Sequence, residues 1–230
     1  MRLLPAYRED LPRVERFNLV QRITHWGHTV TFLICLVTGL SIMFSANWLA
    51  AIFGGYTGAD LIHKTAAVGL TIFVFFFIIF DFKGLIGWIK DIFRFGKNDM
   101  VFLMKFPFEF LGFKVKIPPQ TKFNGGEKMN SIITPTAVLF LMISGYIMWF
   151  PAVFPVSWVR LSYPIHDIAM VIGTVMVAMH AYLGSFHPGS GESFWGMWKG
   201  TVRSDWAEHH HEIWYNEKYG EKDKEEEEEN

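Results

Sequence analysis

One cysteine, Cys35, stands in 230 residues, which excludes a disulfide framework, a Cys-ligated zinc or iron–sulfur site, and the cysteine pair that attaches c-type haem. Charge is scarce as well: 19% of the chain is charged against 51% hydrophobic, with 23 Phe and 9 Trp, a balance unsuited to a water-soluble domain. No Asp, Glu, Lys or Arg occurs from Ile23 to Ala59, Thr65 to Phe80, Met129 to Val159 or Ile168 to Gly191. The net charge of −1 conceals a mildly basic body, because residues 221–230 carry seven acids against two lysines and leave residues 1–220 at +4. No internal repeat organises the sequence.

Apolar runs of this length span a bilayer, since about 20 helical residues cross roughly 30 Å of hydrocarbon, and lipid leaves helices as the only form that satisfies the backbone there. The sequence predicts an all-α membrane protein, a four-helix bundle with spans near 23–45, 61–82, 129–150 and 162–186. Residues 1–22 hold five Arg and 83–128 hold nine Lys or Arg, whereas 45–62 hold none and 151–161 only Arg160. This asymmetry places both termini and the central loop in the cytoplasm. The expected organisation is a cytoplasmic segment 1–22, a transmembrane domain 23–186 with cytoplasmic loop 83–128, a cytoplasmic segment 187–219, and a disordered acidic tail 220–230. The first span, preceded by dispersed arginines, is expected to stay as a signal anchor. In the central loop, Leu85, Ile86, Trp88, Ile89, Ile92, Phe93 and Phe95 recur at near-helical spacing. They form either a short interfacial helix or an ordinary connector under the bundle.

Four of nine histidines lie in or at the mouth of the spans: His25, His63, His166 and His180. Ionisable groups there are costly and point to function. His166 and His180, 14 residues apart, share one helix face about 21 Å apart along its axis. The topology puts His25 and His180 at the inner level and His63 and His166 at the outer one, two pairs at matching depths. Two facing neutral imidazoles are a ligand set for six-coordinate haem iron, whereas zinc wants three or four clustered ligands. Gly173, seven residues from both His166 and His180, and Gly39, beneath the outer pair, offer room for a macrocycle. The alternative is that each histidine hydrogen-bonds a neighbouring helix on its own. His28 is the rival ligand on the first span, His187 ends the fourth span before Pro188, and His209-His210-His211 fits a surface or docking role. Lys64 and Arg160 outside, and Arg22 inside, are placed either to pair with haem propionates or to snorkel.

The segments Gln21-Arg22-Ile23-Thr24-His25-Trp26, Leu61-Ile62-His63, Asn124-Gly125-Gly126-Glu127-Lys128-Met129, Ile165-His166 through His180, and Trp206-Ala207-Glu208-His209-His210-His211-Glu212-Ile213-Trp214-Tyr215 carry a resemblance. With them, from about residue 14 to 219, the chain resembles the gamma subunit, a dihaem cytochrome b, of respiratory membrane-bound formate dehydrogenases. The resemblance implies two b-type haems, the outer on His63 and His166, the inner on His25 and His180. It also implies a menaquinone pocket by the inner haem, with Asn124, the Gly126 backbone and His180 near the quinone. The implied partners are an iron–sulfur (beta) subunit and, through it, a molybdenum or tungsten catalytic (alpha) subunit, which oxidises formate; no nucleic acid is involved. Electrons are then expected to pass from the outer side to quinone near the cytoplasm. The family commonly has Gln where Glu127 stands, so Glu127 is either a proton donor to quinone or, the preferred reading, a charge at a helix start favoured by the dipole. His187 and Pro188-Gly189-Ser190-Gly191 also depart from the family pattern.

Two rival functions are the cytochrome b subunit of a nickel–iron hydrogenase or other molybdoenzyme, and a histidine-based proton or metal transporter. Co-purifying subunits separate the first rival, and a colourless protein would mark the second.

Overall fold

The computed structural model describes residues 7–188 and 190–220; Gly189 and the acidic stretch 221–230 lie outside the described residues. Strand β1 (Arg13–Glu15) leads into α1 (Leu19–Met43), and a short α2 (Asn47–Ile52) connects to α3 (Tyr56–Phe80). Helices α4 (Phe82–Phe93) and α5 (Lys97–Phe110) occupy the central segment, ahead of α6 (Gly125–Trp149) and α7 (Val156–Ala181). A π-helical turn, Tyr182–Phe186, extends α7, and α8 (Gly191–Lys199), β2 (Thr201–Arg203), α9 (Ser204–His210) and α10 (Glu212–Lys218) follow.

Among the described residues, four helices are long and apolar enough to cross a membrane: Leu19–Met43, Tyr56–Phe80, Gly125–Trp149 and Val156–Phe186. The four-span, all-α architecture expected from the sequence is present, yet each span begins four to six residues earlier than the apolar runs indicate. Polar caps explain the difference. Asn18 accepts from the Gln21 N–H at 2.9 Å while the Gln21 side chain accepts from the Asn18 N–H at 3.3 Å, a capping box that starts α1 ahead of its apolar run. The same two side chains donate to Asp81 at 2.8 and 3.0 Å, and Asp81 also accepts the Gly84 N–H. The start of α1 is thereby tied to the end of α3.

The chain packs as two compact units. The first comprises Asn18–Leu85 and Thr134–Ala178 and holds most of the four spans. In it, Gly27 of α1 lies flat against the Phe73 ring of α3, where any Cβ would collide with the ring. A Cβ on Gly173 of α7 would stand 3.5 Å from the Phe32 ring of α1 and 3.8 Å from the Ala137 Cβ of α6. Gly173 thus faces Phe32 and Ala137 at ordinary van der Waals spacing. Gly54 and Gly55, at φ of 81° and 89°, form the tight turn from α2 into α3, a left-handed backbone that other residues resist.

Eight hydroxyls in the spans share one arrangement. Thr29, Thr31, Thr38, Thr65, Thr71, Ser144, Ser162 and Thr174 each donate to the carbonyl four residues back, at 2.5–2.9 Å. In lipid no water can take that proton, so the helix takes it. The Thr71 oxygen, its proton given to Ala67, accepts from Tyr146 of α6 at 2.9 Å.

The second unit comprises the described parts of Met1–Phe17, Ile86–Ile133 and Met179–Asn230. Strands β1 and β2 pair antiparallel, Val14 opposite Val202. Val202, Trp206, Ala207, Trp214 and Tyr215 form its buried cluster, flanked by Val14 and Tyr219. Gly200, at φ 94°, ends α8 in the left-handed conformation and turns the chain into β2. Beneath this, Arg13 pairs with Glu192 at 2.9 Å, both nearly buried. The short helix expected around Leu85–Phe95 is α4, and α5, α2 and the folded C-terminal segment are additions that apolar periodicity alone did not reveal.

Lys128, fully buried on α6, donates to Asp99 at 2.8 Å and to the Arg94 carbonyl at 2.9 Å. Asp99 in turn accepts the Gly96 N–H and caps α5. Lys128→Met strands the Asp99 carboxylate away from water, which costs about 3–5 kcal/mol. A lower midpoint in thermal unfolding of the detergent-solubilised protein, partly regained by adding Asp99→Asn, is the expected result.

Candidate functional site

His63 lies on α3 and His166 on α7, in the first unit, and their rings face one another with centroids 6.3 Å apart and planes crossed at 60°. Each ring is held by a different neighbour. His63 Nδ1 is 3.0 Å from Thr38 Oγ1 of α1, and His166 Nδ1 is 3.0 Å from Ser144 Oγ of α6. Each ring edge also rests on a glycine: Cβ atoms on Gly39 and Gly145 would come within 3.3 Å of the Cε1 atoms of His63 and His166. Gly39 sits at the His63 and His166 pair, as its spacing from His25 indicates.

Thr38 Oγ1 and Ser144 Oγ each have a carbonyl of their own helix to take their proton, so the Nδ1–H tautomer, with the lone pair on Nε2, suits both rings. A metal–imidazole bond is about 2 Å long, and two such bonds in line place the ring centres roughly 6 Å apart. The observed separation fits a single ion held between two axial imidazoles. Among the described residues no group of three or more His, Cys, Asp or Glu side chains stands together as a metal site.

His25 and His180 fall in different units and are described separately. His25 stands edge-on to Trp26, centroids 5.1 Å apart. His180 closes α7 just before the π-helical turn, whose extra residue per turn is sealed by the His187 N–H bonding the Tyr182 carbonyl. His28 stands edge-on to Phe73, ring centroids 6.3 Å apart. His187 lies just beyond the fourth span, stacked on Phe110 at 5.5 Å. Lys64 donates to Asp60 at 2.7 Å and lies over the Trp149 ring, and Arg160 is exposed.

The Asn124–Met129 segment resolves residue by residue within the second unit. Asn124 Oδ1 accepts the Glu127 N–H and Glu127 accepts the Asn124 N–H, both at 2.9 Å, a second capping box, here starting α6. Gly125 touches the Asp99 backbone, where a Cβ would clash. Gly126 leaves room beside the Asn124 side chain and Phe102. Glu127 also pairs with Arg16 at 3.1 Å, and Arg16 donates to the Lys122 carbonyl and lies over Trp206.

The triple-histidine run divides. His209 and His210 are exposed, but His211 is 1% exposed, with Nδ1 2.8 Å from the Thr121 carbonyl. It is a core residue, and the surface role expected for the whole run does not apply to it. Burial, helped by nearby Arg16, pushes the His211 pKa down to about 3. Sequence reading also missed Thr38 and Ser144. The signal was present: a small hydroxyl residue followed by glycine, once on α1 and once on α6.

A depressed histidine pKa contributes stability that is whole above the unfolded value near 6.5 and is lost as pH falls toward the folded value. Thermal stability is expected to decline from pH 6.5 toward about 3, by up to about 1.4 kcal/mol per pH unit from this one group. His211→Gln should flatten that slope, measured by unfolding across the pH series.

The family described as prokaryotic cytochrome b561 matches residues 16–200. The chain is 29% identical over 211 residues to the cytochrome b556(Fdn) subunit of the nitrate-inducible formate dehydrogenase of Escherichia coli K12, covering 89% of this chain and 91% of the relative. It is 27% identical over 216 residues to the cytochrome b556(fdo) subunit of a formate dehydrogenase of the same organism, covering 89% and 92%. The formate dehydrogenase cytochrome b556 subunit of Haemophilus influenzae is 27% identical over 209 residues, covering 89% and 83%.

Proposed function

Because the chain belongs to the prokaryotic cytochrome b561 family, we propose that it is the membrane-anchoring dihaem cytochrome b subunit of a formate dehydrogenase, delivering electrons from an outer-side iron–sulfur subunit to menaquinone near the cytoplasm. The names of its relatives supply the complex. The observation that carries the reading is the facing His63 and His166 pair, spaced for one ion.

In this reading His63 and His166 hold the outer b-type haem, and His25 and His180 the inner one. Bound haem supplies reversible one-electron chemistry at iron. The chain's residues supply the rest. Imidazoles committed at Nδ1 present Nε2, glycines give the rings room, and apolar helices exclude water. Asn124 spends its carbonyl oxygen on the α6 cap, so its NH2 end is the donor that addresses a quinone oxygen, with Gly126 keeping the approach open. The capping box and the Arg16 pair support the anchoring role of Glu127 over proton donation. The partners are the iron–sulfur subunit and, behind it, a molybdenum or tungsten subunit where formate is oxidised. The basic flanks set the N-terminal, central and C-terminal segments in the cytoplasm, with α4 lying in the interface. Electrons moving inward to meet protons taken from inside store energy as membrane potential.

The complex purified with its partners is expected to be red, with a reducible low-spin spectrum, and the co-purifying subunits name the donor. His166→Ala should remove the outer haem and largely spare the inner one, and His25→Ala the reverse; equal loss of both from either variant would refute the pairing. Asn124→Ala should slow quinone reduction about tenfold, the cost of one hydrogen bond of roughly 1.4 kcal/mol, with both haems retained. Unchanged turnover would remove Asn124 from the pocket.

A further inference from the structure

The same two-residue device occurs twice. On α1, Thr38 faces His63 Nδ1 and Gly39 meets its Cε1; on α6, Ser144 faces His166 Nδ1 and Gly145 meets its Cε1, at matching distances of 3.0 and 3.3 Å. Neither hydroxyl has a proton to offer the histidine. Thr38 donates to the Ile34 carbonyl at 2.7 Å and Ser144 to the Phe140 carbonyl at 2.5 Å. Each oxygen can therefore only accept, which makes each histidine an Nδ1–H donor.

We propose that Thr38 and Ser144 are positioning residues of the outer haem, fixing the tautomer and crossed orientation of both axial imidazoles and setting how strongly they donate to iron. The proposal rests on the reading of His63 and His166 as ligands. A partner on the far nitrogen of a ligating histidine orients the ring and raises its basicity. A carboxylate there would draw the proton away and make the ligand nearly anionic; a hydroxyl whose own proton is engaged is a modest neutral acceptor. Removing it weakens the ligand as a donor, favours ferrous iron and raises the reduction potential. The repetition on two helices makes the two ligands electronically alike, and the two glycines let each ring come close enough for the hydrogen bond to form.

The test uses the purified complex, optical redox titration of each haem and electron paramagnetic resonance. In the unmutated complex, imidazole planes crossed at 60° predict a low-spin ferric signal with an unusually large highest g value. Electron–nuclear double resonance should also find an exchangeable proton on Nδ1 of both outer ligands. Thr38→Val and Ser144→Ala should each shift the outer haem's midpoint positive while the inner one holds, the double variant shifting it further, and Thr38→Ser should restore the original value. Outer haem retained with an unmoved midpoint, or both haems shifting equally, overturns the proposal. If a variant sheds its haem, the Nδ1 proton in the unmutated complex decides, and its absence overturns the proposal too. A complex without low-spin haem would instead remove the ligand reading on which this rests.

Discussion

A neutral imidazole can offer a metal one lone pair, and the nitrogen that carries it is the one the ring proton leaves free. In the hydrocarbon layer no water holds that proton, so a helix must. The Thr38 and Ser144 oxygens meet that need because their own protons are already absorbed by the carbonyls one turn back. The packing of the first unit serves the same end. Gly27 against Phe73 draws α1 and α3 together, and Phe32 and Ala137 against Gly173 join α1 and α6 to α7. These contacts bring α3 and α7 to the separation at which the His63 and His166 rings confront each other.

The second unit solves a different problem with different chemistry. It brings together segments rich in Arg and Lys, and it buries several of those charges outright. Arg13 with Glu192, Arg16 with Glu127, and Lys128 with Asp99 each place a cation with little or no exposed side chain against a carboxylate. Such pairs add little net stability over an apolar contact, but they tolerate few alternative partners and so specify one arrangement. The Asn124–Lys128 segment shows how tightly such specification is written: cap, close approach, open position, ion pair and buried lysine occupy consecutive residues. Any quinone chemistry there is built on a helix start that is already fully determined by its own hydrogen bonds.

Much of this was legible in the sequence, for physical reasons that also mark where legibility ends. Apolar runs report the hydrocarbon layer, so the four spans were plain, while their first turns were not, because caps such as Asn18-x-x-Gln21 and Asn124-x-x-Glu127 are polar and lie outside those runs. The level of His63 with His166 followed from topology and helical rise. The partners of their second nitrogens did not, since threonine and serine in a span usually do no more than bond their own helix. Spacing put Gly173 on the face shared by His166 and His180, but spacing along one helix cannot say which side chain of another lies against it, here Phe32. His211 was read as surface because a run of three histidines looks polar, and only the fold around Thr121 turns the last of them inward.

The ribbon joining Val14 to Val202 has a consequence for biosynthesis. Strand β1 leaves the ribosome early, yet its partner emerges only after all four spans have been handed to the insertion machinery. The second unit therefore seals last, and a chain halted before Thr201 leaves Val14 without its mate and the Trp206–Tyr215 cluster unmade. The ribbon can close only once the chain has been made past its fourth long apolar helix.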